Sequence, residues 1–426
     1  MNIDFAKCIF GDEERNAVKR VLEGHWLASG PENEAFQEEF AEYVGSKYAI
    51  CVNSGSSSNL IALASLSLPP GSKVLTSACG FPATLSPIIH FGLEPVLVDY
   101  QLDTHNVDVD RAILRLDEVK AVIFAHTLAN PVDLRLINAA KSMGIPVIED
   151  CCEALGTKVN GRHVGTFGTL GTFSFYPSHQ MTAGGSGGMV VTDDKHLAMQ
   201  MKSMRDWGKT WRWDEKLGDN KTCYTEDMGL DYLYYRHYVY ETLGYNFKLP
   251  EICAAFGREQ LKRLETFSEQ REFNFHYLRA KLSELDEFVP IKFNPEARIS
   301  WFGYPLTLKD GSELNRNMLG DYLESKGVRH RPFFAGNILQ HKPFYHLWSE
   351  LDIHPHELPF PVADKLMRDS LFIGCWAGMT QEMLDYIVEV IGEFVHLHTK
   401  LERKGLPGGM PIKYTISDTG GTVTYR

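Results

Sequence analysis

The sequence lacks long hydrophobic runs, an excess of basic residues and a regular cysteine spacing. No run reaches the ~18 apolar residues of a membrane-spanning helix, and the segment Met1 to Cys8 has no signal-peptide pattern, so we expect a cytoplasmic protein. The net charge of -12 argues against nucleic acid or an anionic membrane as the main partner. The eight cysteines are scattered, which favours reduced thiols over a disulfide framework.

The chain has the composition of an ordinary soluble globular protein, and its 426 residues favour two packed domains. Apolar strands alternate with helices, a pattern that predicts an α/β fold with a mostly parallel sheet. We predict a large domain over 1–270 with two N-terminal helices and an irregular insertion at 206–241, a smaller α/β domain over 271–398, and a tail over 399–426. Helices are predicted over 12–24, 32–45, 60–68 and 251–282 and after residue 380, and strands at 48–52, 74–76, 95–99, 121–125, 146–150, 171–176 and 189–192.

The segment 171–192 is the first candidate for chemistry. A short apolar strand breaks at Pro177 and is followed by His179 and then by the glycine-rich run Gly184 to Gly188. Open α/β sheets bind their ligands at strand ends, and a histidine there can transfer protons near neutral pH. Because the chain has 16 histidines, a solvated surface group is the competing interpretation, and the residues around His179 must decide.

Three other segments carry features of a cofactor site, each with a structural alternative. Gly55, Ser56 and Ser57 lie between a strand and a helix, where they suit a phosphate or merely cap the helix. Asp150 ends an apolar strand, so it either pairs with a cationic ring nitrogen or caps the following turn. Phe81, on a loop with glycine and proline, either stacks on a flat ring or packs under the loop.

Together, the order of these motifs resembles the DegT/DnrJ/EryC1/StrS family of sugar aminotransferases, which use pyridoxal phosphate. The resemblance covers about residues 10–398 and implies fold type I, the aspartate-aminotransferase-like architecture. Typical members hold the cofactor covalently on a lysine at the position of His179. Histidine there is typical of a subgroup, the 3-dehydratases of nucleotide-linked 4-keto-6-deoxyhexoses. The motifs that carry the resemblance are Tyr176-Pro177-Ser178-His179, Gly80-Phe81-Pro82, Glu149-Asp150-Cys151-Cys152, Leu243-Gly244-Tyr245-Asn246-Phe247-Lys248 and Phe334-Ala335-Gly336-Asn337.

The resemblance also implies a role for individual residues. His179 would be the catalytic base, and no metal site is expected. Because the active sites of the family are shared across a homodimer, one phosphate contact would come from the neighbouring subunit. The implied contacts are Gly55, Ser56, Ser57 and Ser174 to the phosphate, Asn246 to the phosphate from that neighbour, Phe81 and Asp150 to the pyridine ring and its nitrogen, Glu153 beside the ring, and Arg331 and Asn337 to substrate.

The exchange of lysine for histidine suits a dehydration. Lysine would capture the aldehyde form of the cofactor covalently, whereas histidine leaves the amine form, pyridoxamine phosphate, untethered. A neutral His179 would then remove a proton while the C3 hydroxyl of the sugar leaves as water. An amino donor such as glutamate would recharge the cofactor. The resemblance places this reaction in deoxysugar biosynthesis, including that of lipopolysaccharide O-antigens.

Three alternatives stay open. One branch of the subgroup carries an iron–sulfur cluster on four cysteines, and Cys152 and Cys223 lie near two of those positions. The expected Cys-x-Cys reads Trp211-Arg212-Trp213, and two thiolates do not replace four, so we predict no cluster. A plain aminotransferase would need a lysine in the site. A non-catalytic family member would bind the cofactor without turnover of any 4-keto sugar nucleotide.

Overall fold

A computed structural model describes residues 1–210, 224–225, 229–350, 359–402, 413–415 and 422–424. Within these ranges the centre of the molecule is a seven-stranded sheet with the order β1-β7-β6-β5-β4-β2-β3. Strand β7 is antiparallel to both neighbours and the other strands are mutually parallel, which confirms the predicted α/β class. The strands are β1 (Tyr48–Val52), β2 (Lys73–Ser77), β3 (Glu94–Val98), β4 (Ala121–Ala125), β5 (Val147–Asp150), β6 (Leu170–Ser174) and β7 (Gly188–Thr192).

Helices cover both faces of this sheet because successive strand residues point to opposite sides. Met189 and Val191 of β7 pack with Phe36 of α2, whereas Val190 packs on the other face with Ile61 of α3. The helices are α1 (Asp12–Glu23), α2 (Pro31–Val44), α3 (Gly55–Ser65), α4 (Pro82–His90), α5 (Val109–Ile113), α6 (Arg135–Ser142), α7 (Lys195–Arg205), α8 (Glu251–Leu282), α9 (Arg316–Ser325), α10 (His346–Glu350), α11 (Pro361–Asp369) and α12 (Gln381–Glu402).

The C-terminal third of the chain adds a smaller antiparallel sheet. Its strands are β8 (Gly303–Thr307), β9 (His330–Pro332) and β10 (Ser370–Gly374), with β10 in the middle. The long helix α8 leads into this region and spans residue 270 without interruption. The division into two domains stays a prediction, and its expected boundary falls inside α8.

Two other expectations differ from the structure. Helix α3 begins at Gly55 rather than residue 60, because the hydroxyl of Ser54 accepts a hydrogen bond from the amide of Ser57 and caps the helix five residues earlier. The predicted tail starts inside α12 and contains the strand pair Lys413–Thr415 and Thr422–Thr424.

Part of the predicted insertion, 211–223 and 226–228, lies outside the described residues. Within the described ranges, none of the helices has the length and apolar character needed to span a bilayer.

Candidate active site

A cavity of about 650 Å³ opens at the carboxyl ends of strands β4, β5 and β6, where parallel sheets place their ligands. The smaller sheet supplies Arg331 and Pro332 to the opposite wall. The cavity therefore lies between the two sheets and unites segments that are far apart in the sequence. The predicted site residues that line it are Gly55, Ser56, Phe81, Asp150, Glu153, Ser174, His179 and Arg331.

The N-terminus of α3 forms one end of the cavity. A Cβ on Gly55 would lie 2.6 Å from the Cβ of Ser174 and 2.8 Å from the Sγ of Cys152, so only glycine permits this close approach. The backbone N–H groups of the first helical turn and the hydroxyls of Ser56 and Ser174 border the space left beside it, which suits an anion. Ser57 does not line the cavity, because its hydroxyl and amide both bind the Ser54 hydroxyl. Ser57 supplies the amide that the N-cap residue Ser54 binds.

Asp150 is held by donors from three segments. Its Oδ2 accepts hydrogen bonds from Asn59 Nδ2 at 2.7 Å and from Thr84 Oγ1 at 2.8 Å, while its Oδ1 accepts from the amide of Cys152 at 3.1 Å. Helices α3 and α4 and the turn after β5 thus fix one carboxylate at the floor of the cavity. The bond from the amide of Cys152 means that Asp150 also caps the turn after β5. Capping this turn is compatible with pairing to a ring nitrogen.

Glu153 lies beside Asp150 in the cavity wall. Its Oε2 accepts a hydrogen bond from the amide of Leu128 at 2.8 Å. Burial, together with the charge of Asp150, raises the pKa of Glu153 to about 8. At neutral pH this carboxyl group is therefore mainly protonated and able to donate a proton or a hydrogen bond into the cavity.

His179 is half-buried on the loop after β6. The edge of its ring meets Phe302 at 5.2 Å and Tyr176 at 6.2 Å between centroids. Burial, reinforced by the positive charge of Arg271, lowers the pKa of His179 to about 3, so the imidazole is neutral at neutral pH and accepts rather than donates a proton. Among the described residues that line the cavity, none is a lysine.

Besides Ser57, two more predicted contacts do not line the cavity. Asn246 is exposed and lies in an irregular pairing with Asp206, so a contact from a neighbouring subunit stays a prediction. Asn337 is fully buried, and its side chain donates to Asp364 Oδ1 at 2.8 Å and accepts from the amide of Leu339 at 3.1 Å. Its amide group is occupied in capping the following turn, and a contact of Asn337 with substrate stays a prediction.

Sequence reasoning missed several residues that shape the site. Asn59 and Thr84 hold Asp150, and Arg271 binds the backbone carbonyl of His179 at 2.8 Å. Thr84 is a polar residue on the mostly apolar helix α4, but Asn59 and Arg271 lie among other polar residues and have no such signal. Of the segments considered for a cluster, Cys152 lines the cavity, while Trp211-Arg212-Trp213 and Cys223 lie outside the described residues. The absence of a cluster stays a prediction.

The sequence profile of the DegT/DnrJ/EryC1/StrS aminotransferase family matches residues 9–392. The chain belongs to this family. The predicted family and fold type are thereby confirmed, since solved structures of the family share the architecture over nearly the whole chain.

Two curated relatives and one solved structure illustrate the similarity to other members of the family. The lipopolysaccharide biosynthesis protein RfbH of Salmonella typhimurium is 38% identical over 416 residues, 92% of this chain and 91% of that protein. A GDP-4-keto-6-deoxy-D-mannose 3-dehydratase of Yersinia pseudotuberculosis is 31% identical over 350 residues, 80% of this chain and 87% of that protein. A crystal structure of GDP-4-keto-6-deoxymannose-3-dehydratase with a trapped PLP-glutamate geminal diamine has a TM-score of 0.81 and 28% identity, and covers 92% of this chain and 100% of that one.

The cavity of this chain fits pyridoxal phosphate or its amine form. The cavity wall at Gly55, Ser56 and Ser174 includes the N-terminus of α3, whose backbone N–H groups suit a phosphate. Phe81 is 56% exposed at the cavity wall, so its ring is available for stacking. Asp150 offers a buried carboxylate that suits a cationic ring nitrogen. These are three separate requirements of one molecule, and the described residues meet all of them.

Proposed function

We propose that this chain is a 3-dehydratase that removes the C3 hydroxyl of a nucleotide-linked 4-keto-6-deoxyhexose with pyridoxal or pyridoxamine phosphate, and that an amino donor such as glutamate recharges the cofactor. The observation that carries the proposal is His179, a neutral base in a cavity otherwise equipped for this cofactor, at the position where the family resemblance places a lysine. The relatives named as 3-dehydratases support the reaction, and the trapped glutamate adduct in one of them supports the donor.

Each part of the cofactor has candidate contacts. Gly55, Ser56 and Ser174 would hold the phosphate, Phe81 would cover the ring, and Asp150 would pair with the ring nitrogen. Asp150 keeps its position without the cofactor because Asn59 and Thr84 bind its other oxygen. When bound, the cofactor supplies an electron sink next to the sugar.

The chain itself supplies the proton transfers. Neutral His179 accepts a proton at its imidazole and, once charged, is an acid that protonates the departing hydroxyl. Protonated Glu153 provides a second donor in the same wall. The rings of Phe302, Phe334 and Phe372 line the cavity and limit access of water, which protects a base whose neutral form depends on burial.

A second groove supports a nucleotide-linked substrate. It has a volume of about 430 Å³, is polar, and shares Phe5, Tyr176, Ser178 and Arg331 with the main cavity. The guanidinium of Arg331 stacks on Phe5 at 5.0 Å and donates a hydrogen bond to the carbonyl of His330, which leaves donors for a further contact. We expect the sugar in the cavity and the diphosphate at Arg331, where the two spaces meet.

A homodimer with shared sites is part of the proposal. The segment before Asn246 carries large exposed apolar side chains, including Tyr238 at 60% exposure, Tyr240 at 50% and Leu243 at 96%. Several exposed large apolar side chains in one segment support a protein interface there. Its proximity in sequence to Asn246 supports the contact that this residue would make to the phosphate of a neighbouring subunit.

Borohydride trapping tests the function directly. The wild-type protein should carry the cofactor without a covalent link, change its absorbance spectrum with glutamate, and release water from a 4-keto-6-deoxyhexose nucleotide. In His179→Lys we expect a reducible lysine–cofactor adduct and a dehydration rate lower by roughly 100-fold or more. His196→Lys, the same change at an exposed histidine, is the matched control and should behave like the wild type.

The other outcomes separate the alternatives. An adduct in the wild-type protein would indicate an aminotransferase. Turnover that needs a reductase, together with iron and sulfide in anaerobically purified protein, would indicate the cluster-dependent branch. The lack of any turnover and of any spectral response to glutamate would indicate a non-catalytic member.

A further inference from the structure

The hydrogen bonding of His179 differs from that of most catalytic histidines. Such a histidine is usually oriented by a carboxylate or carbonyl at the ring nitrogen that faces away from the substrate. In the described part of the chain, Nδ1 of His179 is buried and has no hydrogen-bond partner. The position of the imidazole must therefore be set by its backbone and by the rings that pack on it.

The backbone of His179 and the ring that packs on its imidazole are both held in place by Arg271. This residue on α8 is 3% exposed, and its Nη2 donates to the carbonyl of His179 at 2.8 Å. Its Nη1 donates to the carbonyl of Trp301 at 3.1 Å, and the next residue, Phe302, is the ring that meets the imidazole edge at 5.2 Å. One planar guanidinium thus ties together the base and the aromatic wall behind it.

The helix supports this arrangement one turn further on. Phe275 lies four residues after Arg271 and stacks on the ring of Trp301 at 3.5 Å between centroids. Because residues four apart share a helix face, α8 holds Trp301 by its ring and by its carbonyl at the same time. The anchor is therefore a rigid secondary-structure element rather than a loop.

The charge of Arg271 is also unusual. Burial lowers its pKa only to about 10, so it stays cationic at neutral pH, and within the described ranges its two bonds go to carbonyls rather than to a carboxylate. The titratable and charged groups that surround His179 are Arg271 on α8, Asp150 and Glu153 across the cavity, Arg331 on β9, Lys7 and Cys8 on the N-terminal segment and Tyr176 on its own loop. An uncompensated cation this close disfavours a second positive charge on the imidazole.

We propose that Arg271 is the positioning residue of the reaction: it holds His179 in place through its backbone carbonyl and aligns Phe302 through Trp301. The proposal rests on the proposed function for its consequence in catalysis. Its geometric part concerns the state of His179 and is measurable without turnover.

The test compares Arg271→Met with the wild-type holoenzyme by NMR of histidines labelled at Cε1, with His179 assigned from the signal lost in His179→Asn. Wild-type His179 should stay neutral down to about pH 5, whereas in Arg271→Met its protonation should move from about 3 toward the ordinary value of 6.5. In the dehydration assay, kcat should fall roughly 10- to 100-fold while KM changes by less than about 3-fold, because the base is misplaced and not the substrate.

Two further variants keep the test decisive. Arg263→Met is the matched control on the same helix, where the arginine pairs with Glu14 at 3.1 Å away from the cavity. Arg271→Lys keeps the charge but not the two-carbonyl fork, so His179 should stay neutral at about pH 5 while kcat recovers only in part. This variant serves the same purpose if Arg271→Met does not fold.

The possible failures are distinguishable. A His179 signal that titrates identically in the wild type and Arg271→Met, or a kcat of Arg271→Lys equal to that of the wild type, overturns the role of Arg271. A wild-type protein that dehydrates no 4-keto sugar nucleotide overturns the proposed function, and the titration of His179 still decides the role of Arg271.

Discussion

Glu149 and Asp150 are neighbours in strand β5, so their side chains point to opposite faces of the sheet. On the Glu149 face, His126 is fully buried. Its Nδ1 accepts from the amide of Val132 at 2.9 Å, so its Nε2 carries the proton and donates to Glu149 at 3.0 Å. On the Asp150 face lies the cavity, where His179 has an unpartnered Nδ1 among the described residues.

The two faces differ in whether their polar groups already have hydrogen-bond partners. Both oxygens of Glu149 are occupied, since they also accept from the amides of Gly165 at 3.0 Å and Gly168 at 2.6 Å. The grouping of His126, Glu149 and Cys151 within 4.8 Å has the residue types of a metal site, but its histidine and carboxylate are already committed to the fold. His126 thus has partners on both ring nitrogens and belongs to the fold, whereas His179 keeps a nitrogen without a partner beside the cavity.

The same substitution at the two histidines should have opposite effects on turnover and on stability. In His179→Asn we expect turnover to fall roughly 10²- to 10⁴-fold, because asparagine cannot accept the proton. The free energy of unfolding should change by less than about 1 kcal/mol, because the replaced ring nitrogen has no partner to lose. Steady-state dehydration and urea unfolding measure the two quantities. A variant that keeps more than about a tenth of the activity would remove His179 from the proposed role.

On the Glu149 face, substitution of the histidine should reduce stability rather than turnover. His126→Asn leaves the amide of Val132 and one oxygen of Glu149 without their partner in the interior, which should lower the free energy of unfolding by about 2–3 kcal/mol. Turnover per folded molecule should stay within about 3-fold of the wild type. Urea unfolding with active-site titration checks both values, and His196→Asn at an exposed position is the control. An unchanged unfolding midpoint would contradict the assignment of His126 as structural.

The fold was largely predictable because it depends on local apolar patterns. Strands β1 and β4 and helix α8 begin and end where the sequence predicted them, since each is a continuous or periodic apolar segment. Helix α3 was predicted too short because its first turn is polar and its start depends on one hydroxyl of Ser54. The apolar periodicity that marks a helix is weak in such a turn.

The site was predictable only where a residue ends a strand or belongs to a recognised motif. Asp150 and His179 satisfy that condition. Asn59, which holds Asp150, is 91 residues away in sequence, and Arg271 is 92 residues from the carbonyl it binds. Such contacts depend on which helix packs against which strand, and a single sequence does not contain that information. The wrong assignment of Asn337 has the same origin, since its partner Asp364 lies in another helix.

The smallest predicted effect concerns Glu153, on the Asp150 face of the sheet, and the pH dependence of stability. The pKa of Glu153 is raised from 4.5 to about 8 in the folded protein, so between those values the folded chain holds a proton that the unfolded chain has released. Stability therefore falls as pH rises through this window, by about 1 kcal/mol between pH 7 and pH 8 in the cofactor-free protein. Glu153→Gln keeps the neutral form at every pH, so its unfolding midpoint in urea should decline less over that interval. Glu284→Gln, at an exposed position, should follow the wild type. Equal declines in all three proteins would mean that Glu153 is already ionised, and the cavity would then lack its second proton donor.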